Sequence, residues 1–246
     1  MSSPQKSASF DVLGTCFHFT PLITLIDKIL RRSQPNTTID ASSLFHSWFY
    51  AAQRDFTYLS LCDAYTPIAS VLQQTFRRAA SIVGFPDPSN TITDDDLSAI
   101  MTEVKRLPPR SGLKETFDGL RAHGWDVYAV TNGAAASSLK YFELADIALD
   151  EQHMLSCDAI QVAKPDLRVY ETANKRLDEA RCDSDERWFV AAHSWDLIAA
   201  RKAGFRTAWI ASEEGDPVTG LFGEFDIIAK DLNECFEMMT KKEKKA

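Results

Sequence analysis

The 246 residues are 45% hydrophobic and 25% charged, ordinary proportions for a globular chain that can bury a core without disulfide staples. Lys and Arg number 27 against 35 Asp and Glu, and the resulting −8 disfavours nucleic acid, whose binders normally show a basic face. Five cysteines (Cys16, Cys62, Cys157, Cys182, Cys235) are an odd count without CxxC spacing, so no disulfide framework or zinc site is expected and a reducing, cytoplasmic setting is the expectation. No apolar run approaches a membrane span, and the opening MSSPQKSASF has no apolar signal core, so no membrane partner is expected. The run Lys241-Lys242-Glu243-Lys244-Lys245 reads as a solvated tail.

In chain order, Ser9-Phe10-Asp11-Val12-Leu13 predicts a buried strand ending at Gly14-Thr15. Residues 20–107 then read as helical throughout. Leu22, Ile26, Ile29 and Leu30 recur at helical spacing, as do Phe45, Trp48, Phe49, Ala52 and Phe56. A third helix carries Val71, Leu72, Phe76, Ala79 and Ala80, and stops at Gly84 and Pro86. A fourth follows Thr93, and its acidic first turn of Asp94, Asp95 and Asp96 suits the helix dipole rather than a metal.

After Pro108-Pro109 the pattern alternates. Helices are predicted over residues 112–123, after Asn132-Gly133, over 165–177 and over 195–203. Strands are predicted over 126–130, near Met154-Leu155, over 187–192 and over 206–210. Alternation of this kind specifies an α/β fold, a Rossmann-like doubly wound parallel sheet, here with an all-helical insertion after its first strand. The expected domains are residues 1–19 with 108–246 as the core and 20–107 as the insertion.

Function in such sheets gathers at the carboxyl ends of strands, which selects four places. Asp11 ends the first strand before a tight turn, where a carboxylate serves either as an exposed nucleophile or as a turn residue accepting backbone hydrogen bonds. Thr131 and Asn132 offer a hydroxyl and an amide at a helix start, suited to an anion or to plain capping. Lys164 precedes Pro165, which fixes the turn that aims it. His193 and Asp196 follow the strand over 187–192.

This ordered set resembles the haloacid dehalogenase (HAD) superfamily, and within it the L-2-haloacid dehalogenase branch. Lys164-Pro165-Asp166-Leu167-Arg168-Val169-Tyr170-Glu171 and Trp195-Asp196 are similar to stretches of that branch. The resemblance implies that the helical insertion is a cap, and that Asp11 attacks the substrate carbon to form an aspartyl ester, which water then opens. It implies that Thr15, Thr131, Asn132 and Lys164 position Asp11, hold the substrate carboxylate and stabilise charge. Tyr170 and Asp196 match polar positions of the branch, and Tyr170 is counted among the substrate-binding residues.

Several positions depart from the family pattern. Leu13 stands where HAD phosphatases carry a second Asp to protonate a leaving alcohol, and a leucine transfers no proton. Ala191 stands where they carry an acidic magnesium ligand, and where the dehalogenase branch carries Ser. His193 replaces the branch's Asn. The branch's halide-contacting cap Arg falls on Tyr50 or Ala51, with Arg54 the nearest cation, one helical turn away. No metal or other cofactor is expected.

The leading expectation is therefore a metal-independent hydrolase using an aspartate nucleophile on a small carboxylate-bearing substrate, nearest to 2-haloacid dehalogenation. Its expected catalytic residues are Asp11, Thr15, Lys164, His193 and Asp196; its expected substrate contacts are Thr131, Asn132, Tyr170, Arg54 and Tyr50. Two alternatives stand beside it. One is a repurposed enzyme using His193 as acid or base on an unhalogenated metabolite, and the other a catalytically silent HAD fold that binds a partner. Expected partners are the small-molecule substrate and, as a homodimer, a second copy of the chain.

Overall fold

The computed structural model describes residues 5–242; the first four residues of the N-terminal segment and residues 243–246 of the basic tail lie outside the described residues. It divides into two compact units, one built from the chain up to His18 and from Pro108 onward, the other from Phe19–Leu107. The boundary falls one residue earlier than the sequence pattern places it. Phe19 packs within the helical unit, its ring tilted against Phe45 and Phe49 with centroids 4.8 Å and 4.7 Å away.

The core unit holds six strands: β1 (Gln5–Asp11), β2 (Trp125–Thr131), β3 (Met154–Ser156), β4 (Cys182–Ala191), β5 (Arg206–Ile210) and β6 (Ile227–Ala229). They pair in parallel in the order β3-β2-β1-β4-β5-β6. The chain moves outward from β1 to β3, then crosses back to place β4 on the other side of β1. Right-handed crossovers consequently put the helices on both faces, and the switch in direction lies between β1 and β4. Helices Leu113–Ala122 and Leu232–Lys242 pack together on one face, and Leu167–Glu179 with Ser194–Lys202 on the other.

Register sets the site's floor. Asp11 pairs with Val130, one residue short of Thr131, and Phe10 pairs with Val190, which brings Asp11 level with Ala191. Three central strands thus end in one row. Ser7, Ala8, Ser9 and Phe10 are all buried, as a strand covered on both faces requires. Behind it, Phe10 meets Phe117 at 4.8 Å, and Phe142 lies 5.5 Å from Phe117 and 5.1 Å from Phe17.

Several element bounds differ from the sequence reading. β1 begins at Gln5 and stops at Asp11, because Val12 accepts hydrogen bonds from the amides of Cys16 and Phe17 and turns the chain. β4 begins at Cys182, ahead of the apolar run, where polar Asp183, Ser184 and Asp185 hide its start. β6 and the helix Leu232–Lys242 have no counterpart in the predicted elements. Three residues are too few to show a period, whereas Leu232, Cys235 and Met239 are buried at helical spacing and carry a readable signal.

The helical unit comprises Thr20–Ser33, Ala41–Leu61, Ile68–Ile82, Pro88–Thr91 and Asp94–Val104. Its acidic turn is a capping device: Thr93 and Asp96 form a reciprocal capping box, and Arg32 grips both oxygens of Asp96 at 2.8 and 2.6 Å. Among the described residues no helix is long and apolar enough to cross a membrane.

Candidate active site

The turn after β1 builds the first half of the site. Gly14 adopts φ +85°, open to glycine, and its amide donates to the Phe17 carbonyl at 2.9 Å. That turn brings Thr15 back beneath Asp11. The Thr15 hydroxyl donates to Asp11 Oδ2 at 2.6 Å and accepts from the Ala192 amide at 2.9 Å, tying the ends of β1 and β4.

Lys164 builds the second half. Its backbone amide donates to Asn132 Oδ1 at 3.0 Å, so the residue just past β2 fixes where the lysine leaves its loop. Its Nζ, buried over the Phe189 ring, donates to Asp11 Oδ1 and to Asp196 Oδ2, each at 2.8 Å. Asp196 lies fully buried in the first turn of helix Ser194–Lys202, where the dipole favours an anion. Tyr170 donates its hydroxyl to Asp196 Oδ1. Thr131 accepts from the Gly133 amide at 3.0 Å and lies 3.3 Å from the Ser138 hydroxyl.

His193 caps the same helix start. It is 1% exposed, with Nδ1 3.6 Å from Asp11 Oδ2. The glycine at position 14 makes room for it, since a Cβ there would stand 3.0 Å from His193 Cε1 and 2.9 Å from Glu213 Cγ.

The electrostatics follow from burial opposed by pairing. Burial pushes the Asp11 carboxyl up, but the Lys164 ammonium and His193 outweigh it and hold Asp11 well below the usual carboxylate range. Lys164 is disfavoured by burial, yet the two carboxylates raise its pKa and keep it charged. Asp196 is raised, because burial and the facing Asp11 exceed the help from Lys164. His193 is raised, with Asp11, Glu214 and Asp196 overcoming burial.

Eight of the expected site residues meet in the core unit: Asp11, Thr15, Thr131, Asn132, Lys164, Tyr170, His193 and Asp196. Tyr170, expected to touch substrate, is wholly buried with its hydroxyl engaged by Asp196. Tyr50 and Arg54 belong to helix Ala41–Leu61 of the helical unit, where Arg54 pairs with the adjacent Asp55 at 2.9 Å. Three neighbours escaped the sequence reading. Arg110 Nε donates to the Gly14 carbonyl at 2.6 Å and pairs with Glu213, while Glu214 accepts from the Ser194 amide at 2.9 Å. The strand-end rule applied to β5 points at both glutamates; no sequence signal marks Arg110.

Lys164→Met tests this arrangement. Removing one partner of a buried ion pair typically costs about 3–5 kcal/mol. Urea unfolding should show such a loss at neutral pH, and proton titration should show the folded variant holding an extra proton shared between Asp11 and Asp196. An unchanged stability with both carboxyls still ionised would contradict the role given to Lys164.

A family model described as haloacid dehalogenase-like hydrolase matches residues 39–210. The (S)-2-haloacid dehalogenase of Pseudomonas sp. strain YL is 28% identical over 206 residues, covering 83% of this chain and 82% of that protein. Among solved structures, an L-2-haloacid dehalogenase superposes with TM-score 0.81 at 20% identity, covering 97% of this chain and 100% of the other. The L-2-haloacid dehalogenase of Xanthobacter autotrophicus, with chloropropionic acid covalently bound, superposes with TM-score 0.74 at 17% identity, covering 96% and 98%. These structures share the six-stranded α/β fold of this one. With seven-tenths of its length matched by the family model, the chain belongs to the haloacid dehalogenase-like hydrolases.

Proposed function

We propose that this chain is a metal-independent hydrolase of small 2-substituted carboxylates, with 2-haloacids the nearest substrate class and Asp11 the nucleophile. The observation that carries the reading is the state of Asp11. It ends the central strand beside the topological switch, keeps 8% exposure, is held ionised by Lys164 and His193, and is oriented by Thr15. An ionised carboxylate with fixed orientation can displace a leaving group from a bound carbon without prior loss of a proton. The second carboxylate, Asp196, is fully buried between Lys164 and Tyr170, and is read as anchoring the lysine.

In this reading Asp11 attacks the carbon bearing the halogen, the carbon–halogen bond breaks, and halide leaves with its electron pair. Water then attacks Cγ of the ester, and one oxygen of the regenerated Asp11 comes from water. Lys164 and Thr15 stabilise negative charge on the carboxylate oxygens they contact, as preorganised donors do. Thr131 and Asn132, at the end of β2, are assigned to the substrate carboxylate. The covalent chloropropionate adduct of the Xanthobacter enzyme supports a covalent route for the relatives.

Metal independence rests on the residues present. Level with Asp11, β4 ends in the methyl group of Ala191, and Leu13 supplies no acid two residues after Asp11. A hard divalent cation needs several oxygen ligands, and neither position offers one. Among the described residues no group of three or more His, Cys, Asp or Glu is arranged to hold a metal ion.

Halide release from a panel of 2-haloacids tests the reading. The wild-type chain should release halide with a rate unchanged by EDTA or added magnesium. Asp11→Asn should lose that activity while keeping its fold by circular dichroism. Near-wild-type turnover by Asp11→Asn would end the nucleophile assignment, and EDTA inactivation reversed by magnesium would end metal independence.

A further inference from the structure

His193 is buried beside the Asp11 carboxylate, its Nδ1 paired with Asp11 Oδ2 at a long 3.6 Å and its Nε2 without a hydrogen-bond partner. A buried polar group without a partner carries a free-energy penalty and calls for an explanation. The neighbouring carboxylate cannot take over its work. Asp196 already accepts from Lys164 on one oxygen and from Tyr170 on the other, and it is fully enclosed. Ala191 offers only a methyl group. His193 is therefore the group next to Asp11 with a ring nitrogen, Nε2, that no protein group occupies.

We propose that His193 is the catalytic base of the second half-reaction, taking a proton from the water that attacks Cγ of the Asp11 ester. This rests on the Asp11-nucleophile reading. The water oxygen bonds to Cγ as its proton passes to the imidazole, and the carbonyl oxygen becomes an oxyanion held by the Lys164 or Thr15 donor. Collapse breaks the bond from Cγ to the substrate oxygen, and the departing 2-alkoxide takes the proton from the imidazolium. Asp11 is left as a carboxylic acid and releases its proton to solvent. The sum is haloacid plus water giving hydroxy acid, halide and a proton.

Position decides between this role and leaving-group protonation. In an in-line displacement the leaving group departs on the side of the substrate carbon opposite Asp11. A ring 3.6 Å from the Asp11 oxygen is placed to serve the ester rather than that far side.

The surrounding charges supply a timing device. Facing His193 are Asp11 on β1, Lys164 from the loop before helix Leu167–Glu179, and Asp196 on its own helix. The loop after β5 adds Glu214 and Glu213, the latter paired with Arg110, and the Trp195 ring lies 5.4 Å away. In the resting site the carboxylates favour the imidazolium despite burial. Esterification neutralises Asp11, the nearest carboxylate, so proton affinity falls at the step that needs neutral imidazole.

The test uses the whole chain and racemic 2-chloropropionate. His193→Asn should release about one halide per active site in a burst and then retain the ester on Asp11. Intact-protein mass spectrometry should follow that adduct, decaying about 10²–10⁴-fold more slowly than in the wild type. Decay at the wild-type rate would overturn the inference and leave the nucleophile reading standing. Failure of the variant to form an adduct that the wild type forms would overturn it too, by placing His193 before the ester. No halide release by the wild type would remove the nucleophile reading and this one with it. Should His193→Asn not fold, rapid-quench decay of the wild-type ester decides. It should speed up with rising pH and level off above the histidine's pKa, and a pH-independent decay would overturn the inference.

Discussion

The Lys164 ammonium between two buried carboxylates is the interaction on which the site depends. Asp11 reaches the carboxyl edge of the sheet on β1, and Asp196 reaches the same edge in the helix turn after β4. Without a cation between them the two would repel in a medium that screens poorly, and one would take up a proton. Lys164 contacts both at 2.8 Å and is itself aimed by Asn132 beyond β2. Thr15 closes the circuit by joining Asp11 to the Ala192 amide. The ends of three central strands are thereby locked around one carboxylate.

Much of this arrangement was legible in the residues because its parts are local to strand ends. A buried apolar run followed by a polar residue and a turn locates Asp11, Thr131 and His193, and Pro165 marks the turn that presents Lys164. What strand-end reasoning cannot reach is how loops fold back over those ends. Arg110 binds the Gly14 carbonyl only because the chain returning at Pro108 pairs with the segment leaving at His18. Tyr170 enters the site through its match to a polar position of the resembled branch, and helical phase alone does not reveal that its hydroxyl ends on Asp196. Phe19 sits with the helical unit because two aromatic partners lie there, a contact no periodicity displays.

The departures from the family pattern form a coherent chemical set. On the proposed reading, Ala191 stands in place of an acidic ligand and Leu13 in place of a proton donor, while an ammonium and a hydroxyl contact Asp11. Asp11 and Asp196 against Lys164 leave one negative charge, which an imidazolium at His193 offsets, with Glu214 a further carboxylate facing the ring.

An Asp11 ester opened at Cγ requires that this carboxylate regain an oxygen from water. A single turnover in ¹⁸O-labelled water, with enzyme in excess over a 2-haloacid, distinguishes that route from direct hydrolysis. Label is expected in the peptide containing Asp11, with an unlabelled hydroxy acid product. Label in the product, with none in that peptide, would show direct attack by water and rule out the ester.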